Sequence, residues 1–123
     1  MAKSVKLYND ADINNMPEEI TAQTVIIKKP FIQDYFDVTI NAVALSINAE
    51  KLNSIYWGNI HVSDLIELTN SKHITSLPEN FEGTLNVSPE VVKTIPRHKL
   101  PLYLNYLCGE AKEALLKRLK GIS

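Results

Sequence analysis

His61, His73 and His98 are the only histidines and Cys108 is the only cysteine, the side chains that most often ligate transition metals or supply a nucleophile and its base. The histidines are 12 and 25 residues apart, so no two have the spacing that puts a ligand pair on one helix turn. Cys108 has no histidine beside it in sequence, and a thiolate nucleophile would need a base brought to it by the fold. The four glycines stand singly, so no glycine-rich phosphate loop exists. A ligand or catalytic site built from His61, His73 or Cys108 is therefore the minor reading. The chain is expected to be no enzyme, with no catalytic, cofactor-binding or metal-binding residues and no cofactor. As the lone cysteine, Cys108 forms no intrachain disulfide and suits a reducing compartment.

Whatever positions these groups is repetitive. An apolar-x-apolar pair recurs as Val5-x-Leu7, Val25-x-Ile27, Leu45-x-Ile47, Ile66-x-Leu68, Leu85-x-Val87 and Leu104-x-Tyr106, with steps of 20, 20, 21, 19 and 19 residues. A further anchor follows the first five pairs (Ile13, Ile32, Leu52, Ile74 and Val92), and three residues later comes another (Met16, Tyr35, Ile55, Leu77 and Ile95). Proline closes three of these corners, at Pro17, Pro78 and Pro96, where a fixed φ and a missing amide suit a bend. A period near twenty residues means a solenoid whose turns bury their faces on one another. The alternation makes each pair a short strand, and stacking would join the strands into a parallel sheet. Six turns at about 4.8 Å each make a body of roughly 25–30 Å. A weaker alternation, Ile20-x-Ala22, Val38-x-Ile40 and Ile60-x-Val62, suggests a second short sheet on the opposite side. No segment from 5 to 105 keeps a helical period, so the remaining side is expected to be extended or 3₁₀.

The tail differs. Gly109 precedes EAKEALLKRLK, in which Ala111, Leu115 and Leu119 share a face and acidic residues precede basic ones. Residues 109–121 are expected to form a helix that covers the last turn, with Gly121 as its stop. Lys117, Arg118 and Lys120 complement its dipole; a basic contact patch is the alternative. No such cover is visible before Val5. The whole chain, 1–123, reads as one domain: mainly β, a solenoid of about six short turns over 4–107 with a parallel sheet and a C-terminal capping α-helix.

ITSLPENFEGTLNVS (74–88), VKTIPRHKLPLYLNYL (92–107) and DINNMPEEI (12–20) resemble leucine-rich repeats, in particular the short proline-containing repeats of bacterial effectors and of phage-encoded proteins. One element of that pattern is missing. The usual asparagine three residues after the strand is replaced by Asp10, Pro30, Glu50, Ser71 and Glu90, so no asparagine ladder forms in that frame. The chain also has no room for the ubiquitin-ligase domain that follows the repeats in such effectors.

The resemblance implies a protein-binding module whose outward strand positions form the contact face. Here these are Lys6, Ile26, Ser46, Glu67, Asn86 and Asn105, flanked by Tyr8, Lys28, Asn48, Thr69 and Ser88. Tyr56 and Trp57 are further contact candidates at a corner matching Tyr35-Phe36; Tyr35 is expected in the core and Trp57 at the surface. With 13 basic and 14 acidic residues, net charge −1, and a mostly small polar row, no nucleic-acid groove is expected. No apolar run is long enough for a transmembrane helix, and no secretory signal is visible at the start. A cytoplasmic protein, in its own cell or in a host's, that masks a host or defence protein is the leading reading. Self-assembly through the uncovered N-terminal edge, as a homodimer or fibre, is the alternative.

Overall fold

The computed structural model describes residues 2–9, 11, 15–30, 34–78 and 81–121. The anchors Ile13 and Ile32, and Asp10, lie outside them. The chain coils into a parallel β-solenoid of about four turns. Its main sheet holds five strands in the order β1 (Ala2–Leu7), β2 (Glu19–Ile27), β4 (Thr39–Asn48), β6 (Ile60–Thr69) and β7 (Thr84–Asn86). A second, two-stranded sheet pairs β3 (Tyr35–Phe36) with β5 (Ser54–Ile55). All pairings are parallel.

The register follows the sequence period. Leu7 lies beside Ile27, Ile27 beside Ile47, and Ile47 beside Leu68. The inner positions Val25, Ile27, Leu45, Ile47, Ile66, Leu68, Leu85 and Val87 are buried, as are the corner anchors Leu52, Ile55, Ile74, Leu77, Val92 and Ile95. Val5 and Leu7 are half-buried, because nothing described packs outside β1.

Three expectations need correction. First, the weaker alternation does not form an opposite sheet. Ile20, Ile40 and Ile60 pair with one another at the start of β2, β4 and β6, so each long strand has two legs. Along β2 the buried positions step from Ile20 and Ala22 to Val25 and Ile27, and that odd interval reverses the alternation midway. Between β4 and β6 the register shifts at Ala42/Ala44, which adds one residue to β6. A bulge of this kind bends a strand and increases its twist.

Second, the sixth strand does not form, and the coil has about four turns instead of the six expected. Leu100–Tyr103 is a short helix, α1, with proline in its first turn, and 104–106 is a turn. Only an isolated bridge, Leu85 with Leu107, continues the sheet. Pro101 has no amide to give a ladder and its φ suits a helix start. Tyr106 packs edge-on against Phe81 and Tyr103, with ring centroids 5.8 and 5.7 Å apart, and donates its hydroxyl to the Pro78 carbonyl.

Third, Phe36, not Tyr35, is the core aromatic at its corner. Phe36 pairs with Ile55 and is buried, whereas Tyr35 is 49% exposed.

The C-terminal helix, α2 (Gly109–Leu119), packs on the 3₁₀ segment Pro89–Thr94. Ala111 and Leu115 are fully buried and Leu119 partly so. Arg118 donates from one guanidinium nitrogen to the carbonyls of Val92 at 2.7 Å and Ile95 at 2.5 Å, fastening helix to coil. Gly121, at φ 80°, ends it as expected, with its amide donating to the Arg118 carbonyl.

Candidate functional site

The outward strand positions form a continuous row. Lys6 lies beside Ile26, Ile26 beside Ser46, Ser46 beside Glu67, and Glu67 beside Asn86. At the spacing of neighbouring strands, about 4.8 Å, five members span about 19 Å. The row runs from a cation through an apolar side chain and a hydroxyl to an anion and an amide. Ser46 donates its hydroxyl to the Glu67 carboxylate at 3.4 Å, which orients that charge on the face. Lys6 and Asn86 are exposed and the three between are half-buried, as expected of side chains that cover one another on a sheet.

Asn105 does not belong to the row. Leu107 bridges Leu85, so the place beyond Asn86 falls to the following residue, and Asn105 sits in the turn between α1 and that bridge. A second outward row runs along the first legs: Thr21, Asn41 and His61 are neighbours, and the Asn41 amide donates to Glu19 at 3.1 Å and Thr21 at 3.3 Å.

The corner aromatics separate. Tyr56 is 63% exposed. Trp57, expected at the surface, is half-buried against the core, and its indole N–H donates to the Ser76 carbonyl at 3.2 Å. Tyr35, Tyr56 and the strands between them line a shallow depression of about 270 Å³, so the two tyrosines share one edge of the coil.

The four histidine and cysteine side chains lie on different elements. His61 lies on the sheet face, His73 and His98 are exposed at corners, and the Cys108 thiol donates to the Leu85 carbonyl at 3.6 Å. Among the described residues no three histidine, cysteine or acidic side chains group as metal ligands. No described helix is long and apolar enough to cross a membrane.

Sequence reasoning missed a cleft of about 570 Å³ beside the first leg of β6, walled by Trp57, Pro78 and Phe81, with Ile66 on its floor and His61 and Glu82 at its rim. The available signal was the absence of apolar alternation in residues 79–83, which leaves that leg without a following strand.

Fold and site together define a class, a parallel β-solenoid with helical segments at its C-terminal end. Comparison with family models, with curated proteins and with solved structures gave no match.

Proposed function

We propose that the chain is a non-enzymatic protein-binding module of leucine-rich-repeat-like type that holds its partner on the outer face of the main sheet. The observation that carries this reading is the unbroken row Lys6, Ile26, Ser46, Glu67 and Asn86. A rigid sheet fixes the relative positions of a cation, an apolar side chain and an anion, so little ordering entropy is lost on binding. The leucine-rich-repeat reading is supported by the period of 19 to 21 residues and by the corners Leu77-Pro78 and Ile95-Pro96. Masking of a host or defence protein in the cytoplasm is the mode of action that the resemblance favours.

Affinity capture from a host lysate tests this, comparing the wild type with a Lys6→Glu/Glu67→Arg variant. Both side chains face outward, so the variant is expected to fold normally and to lose the captured protein. Equal capture by the two proteins would exclude the row as the contact face.

The second reading, self-assembly, is favoured by the outer edge of β1. Among the described residues no strand or helix covers it, and an uncovered edge presents unpaired backbone groups to another chain. A Leu7→Pro variant should abolish any concentration-dependent increase in mass.

A further inference from the structure

We propose that the outer edge of β6 over residues 60–64 is a docking groove for an extended, basic segment of a partner protein, which joins the sheet as a further strand. This rests on the reading of the chain as a binding module but uses a different surface from the row.

The argument begins with strand lengths. β6 has ten residues, and β4 pairs with it from Ile60 to Thr69. On its other side β7 reaches only Leu65, Ile66 and Glu67. Ahead of Thr84 the chain turns at Gly83, whose backbone sits against the Asp64 carbonyl. The first leg of β6 therefore has no strand on its outer side among the described residues. Backbone N–H and C=O groups on a strand edge need partners, and an extended peptide supplies both in the required alternation.

The cleft beside this edge makes it a groove. Ile60, Val62 and Ile66 form its apolar side, and Trp57, Pro78 and Phe81 wall it. A strand gives one side chain in two to such a floor. The charge on the rim selects the other side chains. Glu82 lines the cleft, exposed Asp64 ends the same leg of β6, and no lysine or arginine is among the lining residues. A segment that alternates apolar with basic residues fits both features.

The probe is an acetylated nonapeptide of alternating valine and lysine with a central leucine. Two controls accompany it: the same peptide N-methylated at alternate amides, and a version with glutamate in place of lysine. Hydrogen exchange of the folded protein, read residue by residue by NMR, is the first measurement. Strand addition is expected to slow exchange of amides within 60–64 by about tenfold or more, with the N-methylated peptide giving no protection. Ser63→Arg and Glu82→Lys, both at exposed positions, should each weaken binding by about tenfold, and the glutamate peptide should bind wild type no better than that. Lys6→Glu on the row should leave binding unchanged. No binding at millimolar peptide, equal binding of the N-methylated peptide, or protection confined to other residues would overturn the proposal. Because the row is tested by Lys6→Glu/Glu67→Arg capture, either surface can fail while the other stands.

Discussion

Replacing Gly83 with alanine is expected to destabilise the protein by about 3 kcal/mol, although glycine-to-alanine changes at unstrained positions stabilise by about 0.4–1 kcal/mol through the unfolded chain. The difference in sign comes from crowding at this position. A Cβ built on Gly83 would stand 2.2 Å from the Asp64 carbonyl oxygen and 2.7 Å from its carbon. Reaching even 3.0 Å requires a retreat of about 0.8 Å from Asp64, whose opposing atoms are backbone, and the Phe81 ring, with Cζ at 2.7 Å, must give way as well. Asp64 lies in the bulge, but Val62 and Leu65, which bracket it, are paired to β4 and limit how far it can yield. The movement must therefore come from β7, whose three register pairs with β6 hold the fully buried Leu85. Overpacking of this kind costs roughly 1–3 kcal/mol, and partial loss of ladder bonds puts this case at the upper end. Urea unfolding followed by far-ultraviolet circular dichroism measures it, and thermal unfolding should shift down by about 10 °C. Gly58→Ala is the internal control: its Cβ would meet only the Tyr56 ring, at 3.6 Å, so its stability should stay within about 0.5 kcal/mol of wild type. A Gly83→Ala protein as stable as wild type would refute the close approach of Gly83 to β6, and with it the geometry that starts β7 only at Thr84.

Three further substitutions probe the supports of the coil. Leu115→Ala removes a fully buried side chain from the helix–coil contact and should cost about 2–4 kcal/mol by urea unfolding. Arg118→Met removes both bonds to the Val92 and Ile95 carbonyls and should cost about 2 kcal/mol, with faster amide exchange in α2 before any change elsewhere. Ser71→Ala orphans the Ser88 amide, which donates to the serine hydroxyl at 2.8 Å, and the Leu68 carbonyl, which accepts from it at 2.9 Å; a loss of about 1–3 kcal/mol is expected in the same assay.

The frame of the main sheet was legible because two signals coincide at each strand. Alternation sets which side chains face inward, and the step near twenty residues sets which strands are neighbours, so Lys6 through Asn86 fall on one line. Legibility ended where a single signal was asked to do both. Tyr35 and Phe36 are both aromatic, and two residues carry no alternation to fix their phase; the partner Ile55 fixes it in space. The first legs of the long strands read as separate pieces because the odd interval between Ala22 and Val25 hides their continuity. In the second turn that ambiguity drew attention to Val38, whereas Ile40 is the residue in register with Ile20 and Ile60. Leu104-x-Tyr106 had the right pattern and step, but Pro101 starts a helix just before it and Tyr106 is held among aromatic rings. The cleft was least legible, since it is made by a strand that begins late.

The missing asparagine ladder has a physical substitute that also bears on the binding face. Each corner of a solenoid leaves backbone groups that water or a neighbouring turn must satisfy. In this chain the task is spread over several polar side chains at different corners. Asn48 donates to the Lys28 carbonyl at 2.9 Å, Thr69 to that of Ile47 at 3.3 Å, Asn59 to that of Asp37 at 2.8 Å and Thr75 to that of Asn53 at 3.0 Å. Of the described positions in the usual asparagine frame, Ser71 does comparable work: it is fully buried and exchanges bonds with Ser88 in the next turn. Because these links sit at corners and strand ends, the mid-strand outward side chains are left with little structural duty. Along the row, Ser46 and Glu67 bond to each other and not to a corner of the coil. Side chains that do not hold the coil together can change without unfolding it, and this is what lets a sheet face be shaped for a partner.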